Sequence, residues 1–160
     1  MLENIKNAGF EIVDLTCLDV KKVQQQAIEL AKEGYFLVIV GKSEHPEVVA
    51  IKANAELWSE NVVVASNPEI LKQYEDRIKK HKKVGVVVQT TQRVENLSQI
   101  VDYLIPISKE LRIKNTICSS TSMRQKEARE LAQSNDLMLV VGSKKSAITT
   151  HMEESLKDVS

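Results

Sequence analysis

Short apolar runs separated by amphipathic stretches constrain the fold of this chain more than any other feature. The runs at residues 36–40 and 84–88 are continuous in apolar residues and do not alternate with polar ones. Such runs are typical of strands buried on both faces of a parallel sheet. Residues 19–33 instead show helical periodicity, with Val23, Ala27 and Leu30 on one apolar face. The pattern predicts an α/β fold with mainly parallel strands.

The predicted strands and helices alternate along the whole chain. Strands are expected at residues 11–14, 36–40, 62–65, 84–88, 115–117 and 137–141. Helices are expected at residues 19–33, 46–55, 68–81, 94–110, 122–134 and 150–157. We expect two small α/β lobes, residues 1–95 and 96–160, whose strand ends face a common pocket.

Composition excludes several classes of protein. Among 160 residues, 22 Lys and Arg balance 22 Asp and Glu, so a broadly basic surface for nucleic acid is not indicated. The longest apolar run, residues 35–40, is too short to span a membrane. The first residues lack the charged and then apolar layout of a signal peptide. A cytoplasmic location is the default expectation.

The chain has two cysteines, Cys17 and Cys118, which are too far apart in sequence for a CxxC zinc or redox motif. A structural disulfide is not expected in a reducing compartment. Without further context, the simpler interpretation is two unrelated core residues, because free cysteine is often buried.

Reactive side chains collect after the predicted strands, where open α/β sheets bind ligands. The segments after the strands are Thr16-Cys17, GKSEHPE at 41–47, Gln89-Thr90-Thr91, CSST at 118–121 and GSKKS at 142–146. Helix capping alone accounts for many of the hydroxyl groups. It does not readily account for two cysteines at corresponding strand ends.

His45-Pro46-Glu47 has two interpretations. An imidazole can bind phosphate or carry protons, and a shielded carboxylate can deliver a proton. Alternatively, Glu47 only complements the dipole in the first turn of a helix. The GSKKS segment similarly has the character of a generic anion-binding turn before a helix, although it is not a Walker A motif.

The order of five segments is more specific than any one of them. VDLTC at 13–17, GKSEHPEV at 41–48, VVVQTTQ at 86–92, NTICSSTSMRQ at 115–125 and VVGSKKS at 140–146 resemble successive signatures of the IspH/LytB family. Members of this family reductively remove the hydroxyl of 4-hydroxy-3-methylbut-2-enyl diphosphate. The products are isopentenyl and dimethylallyl diphosphate, and the electrons come from a donor such as ferredoxin or flavodoxin.

The resemblance implies a role for each matching residue. Cys17 and Cys118 match two of the three cysteines that hold a [4Fe-4S] cluster in the family. Glu47 matches the catalytic acid, and Thr91 the hydroxyl relay nearest the substrate alcohol. His45, Thr90 and Ser146 match substrate-binding residues, of which His45 and Ser146 contact the diphosphate.

The chain also departs from the family pattern. The family's first lobe, with the first cluster cysteine and further anion-binding histidines, precedes the matching region and is not expected here. A C-terminal segment with another phosphate-binding serine is likewise not expected. Ile148 stands where the family has an asparagine that donates to the diphosphate, and it has no hydrogen-bonding side chain. His151 replaces a residue that is usually basic.

Two functions therefore remain open from the sequence. The chain is either an incomplete version of the reductase, inactive alone, or a non-catalytic α/β module that binds a phosphorylated small ligand. The retained Cys17, Cys118, Glu47, Thr90 and Thr91 favour the first for its ancestry. Ile148 and the third cysteine that the chain lacks favour the second.

Overall fold

Four parallel strands form the centre of the fold in the computed structural model, which describes residues 2–157, with side chains from residue 5 onward. In chain order the elements are α1 (Leu2–Asn7), α2 (Leu18–Lys32), β1 (Phe36–Val40), α3 (Pro46–Glu56), β2 (Val62–Ala65), α4 (Pro68–Lys72), α5 (Glu75–His81), β3 (Lys83–Val88), α6 (Val94–Leu104), a 3-10 helix (Ile105–Ile107), β4 (Glu110–Lys114), α7 (Ser119–Gln133) and α8 (Ala147–Lys157).

The sheet has the strand order β2-β1-β3-β4, so β1 and β3 are its central strands. All three pairings are parallel, and Val38 of β1 lies in register between Val63 of β2 and Val86 of β3. Parallel neighbours need crossover connections, which the intervening helices supply. All carboxyl ends of the strands consequently meet at one edge of the sheet.

Helices cover both faces of this sheet. Phe36, Val38 and Val40 of β1 pack in one apolar cluster with residues of α4, α5 and α6. Leu37 and Ile39, which point to the opposite face, pack in a second cluster with α2 and α3. Because β1 is buried on both sides, its sequence is apolar at every position.

The α/β class with a parallel sheet is confirmed. The predicted strands at 36–40 and 62–65 match β1 and β2, and the strand at 84–88 begins one residue earlier, at Lys83. The predicted helix at 68–81 is two helices, α4 and α5, which are separated at Gln73 and Tyr74.

Three strand predictions are wrong. Residues 11–14 and 137–141 form no strand, and the strand predicted at 115–117 lies earlier, at Glu110–Lys114. β4 was missed because it is an edge strand of alternating polar and apolar residues, and because a helix was predicted through residue 110. The helix α6 instead ends at Leu104, two residues before Pro106. In the segment 137–141, Leu137, Leu139 and Val141 are each 85% exposed, so a continuous apolar run alone does not make a strand without a neighbour.

The sheet contains residues from both sides of position 95, because β4 pairs with β3. The division into lobes at 1–95 and 96–160 remains a prediction. Within residues 2–157, no helix combines the length and apolar character needed to cross a membrane.

Candidate active site

The loop after β1 brings a histidine and a carboxylate to the start of α3. His45 is the N-cap residue, and its Nδ1 accepts a hydrogen bond from the Glu47 backbone N–H at 3.2 Å. Pro46 follows at a helical position where a missing N–H costs nothing. Because Nδ1 accepts, neutral His45 carries its proton on Nε2 and can donate from there. The motif thus caps the helix and leaves one imidazole nitrogen for another partner.

The Glu47 carboxylate extends from α3 to the residues that follow β3. Its Oε1 accepts from the Thr90 backbone N–H, and its Oε2 accepts from Thr90 Oγ1, both at 2.8 Å. Thr90 is buried and Glu47 is half-buried. Bonds to both oxygens fix the plane of the carboxylate, and hydrogen bonds to an ionised group are stronger than neutral ones.

The Gln89 side chain connects two loops at the same edge of the sheet. Its side chain is fully buried; Nε2 donates to Thr91 Oγ1 at 2.8 Å, and Oε1 accepts from the Lys42 backbone N–H at 3.2 Å. One side chain therefore holds the loop after β1 against the threonine after β3. Gln89 is part of the QTT motif, but the sequence alone does not indicate a separate role for it.

Cys118 adjoins Thr90. Its backbone N–H donates to the Thr90 carbonyl at 2.9 Å, and the residue is the N-cap of α7. Cys118 Sγ accepts from the Thr121 backbone N–H at 3.3 Å. The N–H groups of a helix N-terminus stabilise negative charge, so this is a suitable position for a thiolate ligand.

Cys17 occupies the corresponding position at the start of another helix. It is the N-cap residue of α2 and is exposed, whereas Cys118 is half-buried, and both are free thiols. A cavity of about 240 Å³ is lined by Cys118 together with Asp19 and Lys22, which lie in the first turns of α2. The beginnings of α2 and α7 therefore face the same cavity.

These thiols fit an iron–sulfur cluster only in part. Clusters of this type are held by cysteine thiolates, and the two helix starts present thiols with suitable chemistry. The described residues contain no group of three or more His, Cys, Asp and Glu side chains that could hold a metal ion. Residues 2–157 alone therefore do not form a complete cluster site.

The loop before α8 carries the predicted phosphate-binding serine. Ser146 Oγ accepts from the Thr149 backbone N–H at 3.4 Å, which is the arrangement of a helix cap. Gly142 is required by close packing, because a Cβ there would lie 2.3 Å from Thr149 Oγ1. Ile148 lies in the first turn of α8, where it offers no hydrogen-bond donor.

His151 connects α8 to the threonine pair. It is 2% exposed, and its Nδ1 lies 2.6 Å from the Thr91 carbonyl oxygen. Desolvation lowers the pKa of His151 below its usual value, although the bond to Thr91 and the Glu154 carboxylate act in the opposite direction. In the sequence, His151 is only a departure from the family pattern, because a histidine within a helix does not indicate a contact with a distant carbonyl.

The structure therefore brings together most of the predicted residues around Thr90 and Thr91. Glu47, with His45 two residues before it, approaches from α3, and Cys118 approaches from the start of α7. Ser146 is connected to this group through α8 and His151. Cys17 is related to it through the cavity shared by α2 and Cys118. Such an arrangement can hold a carboxylate, hydroxyls and a thiol at one edge of a sheet.

Sequence comparisons give the chain a family. A family model described as LytB protein matches residues 1–159. The 4-hydroxy-3-methylbut-2-enyl diphosphate reductase of Syntrophotalea carbinolica is 44% identical over 158 residues, which are 99% of this chain and 54% of that protein. The protein of the same name from Geotalea uraniireducens is 42% identical over 153 residues, 96% of this chain and 52% of its own length. The chain spans about half the length of the curated relatives it matches.

Two solved structures have a similar fold. A structure of (E)-4-hydroxy-3-methyl-but-2-enyl diphosphate reductase, described as the terminal enzyme of the non-mevalonate pathway, aligns with a TM-score of 0.70 and 33% identity. The alignment covers 99% of this chain and 55% of that one. The E-1-hydroxy-2-methyl-but-2-enyl-4-diphosphate reductase of Plasmodium falciparum aligns with a TM-score of 0.80 and 26% identity, over 98% of this chain and 48% of that one.

Proposed function

The chain belongs to the LytB family, and on that premise we propose that it supplies part of a reductase acting on 4-hydroxy-3-methylbut-2-enyl diphosphate. The reaction removes the substrate hydroxyl as water, consumes an electron pair and protons, and gives isopentenyl and dimethylallyl diphosphate. The observation that carries the proposal is the Glu47 carboxylate held by Thr90, with Cys118 bonded to the same threonine.

Glu47 is proposed as the proton donor. A hydroxyl leaves carbon slowly unless its oxygen is protonated, which is the task of a general acid. Both Glu47 oxygens are already bonded to Thr90, so the carboxyl group is held in place before a substrate arrives. Thr91, held by Gln89, is proposed to relay the proton to the substrate hydroxyl.

His45, Thr90 and Ser146 are proposed to bind the substrate. The nitrogen of His45 that is not used in capping α3 can donate to a phosphate oxygen. Ser146 lies at the N-terminal end of α8, where backbone N–H groups favour an anion. Ile148 in the same turn removes one donor, so we expect weaker diphosphate binding than an asparagine there would give.

Cys17 and Cys118 are proposed as two ligands of a [4Fe-4S] cluster, with the third ligand outside this chain. When bound, such a cluster would pass electrons to the substrate. We further propose that a carrier such as ferredoxin or flavodoxin supplies the electrons and that the protein acts in the cytoplasm. With only two thiolates, the isolated chain is expected to show no appreciable reductase activity.

A second candidate function is a non-catalytic module that holds a phosphorylated small ligand. Two observations favour it for this polypeptide: Ile148 in the anion-binding turn, and the lack of a three-ligand group among residues 2–157. Such a module would bind diphosphate without iron and would remain colourless.

Anaerobic reconstitution with iron and sulfide separates the two functions. The chain is mixed with the part of the Syntrophotalea carbinolica reductase that it does not match, and turnover is assayed with a reduced viologen. We expect a brown protein, absorbing near ~400 nm as Fe–S clusters do, and turnover only in the mixture. The Cys118→Ser variant is the matched control and should remain colourless.

Each other outcome has a definite meaning. A colourless, inactive mixture that still binds inorganic diphosphate would favour the binding module and contradict the reductase. Turnover by the isolated chain, at the rate of a full-length relative, would contradict the two-ligand argument.

A further inference from the structure

The turn that carries Thr90 and Thr91 has a partner for every one of its carbonyl groups. It is a four-residue turn, closed by the Gln92 N–H that donates to the Gln89 carbonyl at 3.0 Å. The Thr90 carbonyl accepts from the Cys118 N–H at the start of α7. The Thr91 carbonyl has the His151 imidazole of α8 as its partner, at 2.6 Å. Two helices that follow β3 in the chain thus hold the turn from outside the sheet.

The contact between His151 and Thr91 fixes the state of the imidazole. A carbonyl oxygen only accepts hydrogen bonds, so Nδ1 of His151 must carry the hydrogen and donate it. His151 is 2% exposed, and Thr91 is half-buried. A carbonyl that loses its hydrogen-bond donor must find another partner, so the turn is expected to shift if the imidazole is removed.

The position of this turn determines the geometry of the proposed acid. The N–H and the hydroxyl of Thr90 both donate to Glu47, and the Thr91 hydroxyl is held by Gln89. A rotation of the peptide between Thr91 and Gln92 would turn the Gln92 N–H away from the Gln89 carbonyl and so open the turn that holds both threonines. We propose that His151 is a positioning residue that sets the Thr90–Thr91 turn by donating from Nδ1 to the Thr91 carbonyl. This inference rests on the proposed function of that turn.

The competing interpretation is that His151 only fills the space between α8 and the turn. The two interpretations differ in what a smaller donor can restore. The side-chain amide of asparagine can place an N–H near the position of Nδ1, whereas leucine fills similar volume without a donor. His151→Asn should therefore keep the turn, and His151→Leu should release it. Glu153→Gln is the matched control in the same helix, because its exposed carboxylate pairs with Lys157 and not with the turn.

The first measurement uses the 160-residue chain alone and does not depend on catalysis. Nuclear magnetic resonance of the imidazole nitrogens should show a neutral ring protonated at Nδ1. The Thr91 carbonyl carbon should shift in His151→Leu and return toward its original position in His151→Asn. An imidazole protonated only at Nε2, or a Thr91 carbonyl that does not respond to His151→Leu, would overturn the inference.

The second measurement uses the reconstituted mixture described above. His151→Leu should lower kcat by roughly 10- to 100-fold, as small displacements of catalytic groups do, and leave KM nearly unchanged. His151→Asn should recover most of that loss, and Glu153→Gln should show none of it. A kcat that is unchanged in His151→Leu, in an active mixture, would overturn the inference. If the unmodified mixture is inactive, the proposed function fails, and the resonance measurement alone decides whether His151 holds the turn.

Discussion

Thr90 donates two hydrogen bonds to Glu47, one from its backbone N–H and one from its hydroxyl, so one residue after β3 contacts both oxygens of a carboxylate on α3. The same threonine accepts from Cys118 through its carbonyl. Three segments that are far apart in sequence therefore meet at a single residue. The position of the carboxylate depends on the sheet edge and not only on its own helix.

The first prediction concerns Glu47→Gln. Glutamine can keep both contacts, because its carbonyl can accept from the Thr90 N–H and its amide can donate to Thr90 Oγ1. Substrate binding should therefore be preserved while kcat of the reconstituted mixture falls by about 10² to 10⁴, the usual contribution of a general acid. Steady-state kinetics and thermal unfolding of this one variant are the measurements.

Glu44→Gln is the control, since Glu44 is an exposed carboxylate in the same loop. If Glu47 only complements the dipole of α3, Glu47→Gln should cost at most about 1 kcal/mol of stability and leave turnover intact. Near-normal kcat with a lower melting temperature would remove Glu47 from the mechanism.

The second prediction concerns the hydroxyl of Thr90, which is 5% exposed. Thr90→Val keeps the shape but leaves Oε2 of Glu47 without its hydroxyl donor, at a cost of about 1–3 kcal/mol in the free energy of unfolding. Thr90→Ser keeps the hydroxyl and should cost less. Urea unfolding of both variants measures the difference, and equal stability of the two would contradict a specific role of the hydroxyl.

Much of this edge could be predicted because it depends on local sequence. His45 and Pro46 are a cap and a first helical residue, and β1 is apolar at each position because both of its faces are buried. These signals lie within a few residues of the elements they specify. They placed β1, β2 and the start of α3 correctly.

The remaining features depend on contacts between distant residues. The hydrogen bond from His151 to Thr91 joins residues 60 positions apart, and the sequence near either residue does not indicate it. β4 was not predicted because an edge strand needs only one apolar side. Beyond the end of β4, the chain stays next to β3 because the Thr116 hydroxyl accepts a hydrogen bond from the Val88 N–H at 2.8 Å. The segment 137–141 has the continuous apolar run of a buried strand, but pairing needs a neighbour that the local sequence cannot specify.

The third prediction concerns the two cysteines. Because α2 and Cys118 line one cavity, and a cluster has a common core of a few ångströms, we expect the two sulfurs to lie within roughly 10 Å of each other. Spin labels on both cysteines, measured by electron paramagnetic resonance, should report a short distance once the length of the labels is considered. Sulfurs on opposite sides of the protein would exclude shared ligation.

The last prediction concerns the pH dependence of stability. Burial lowers the pKa of His151 in the folded chain, and the charges that contribute come from Lys42 after β1, Arg93 before α6 and Glu154 on α8. The unfolded chain therefore binds a proton more readily as the pH falls through the ordinary histidine value of about 6.5. The contribution of His151 to the free energy of unfolding is therefore fully present above that pH. It is lost as the pH falls below that value, because the unfolded state then binds more protons.

His151→Asn removes this titration while retaining a donor for Thr91. Urea unfolding of the original chain and the variant, at several values between about pH 5 and 8, should show a steeper loss of stability on acidification in the original chain. Carboxylates whose pKa values are lowered, such as Glu75 and Glu153, titrate at lower pH and contribute equally to both proteins. Parallel curves through pH ~6.5 would mean that His151 does not resist protonation, and a smaller loss in the original chain would mean that the folded state favours the imidazolium.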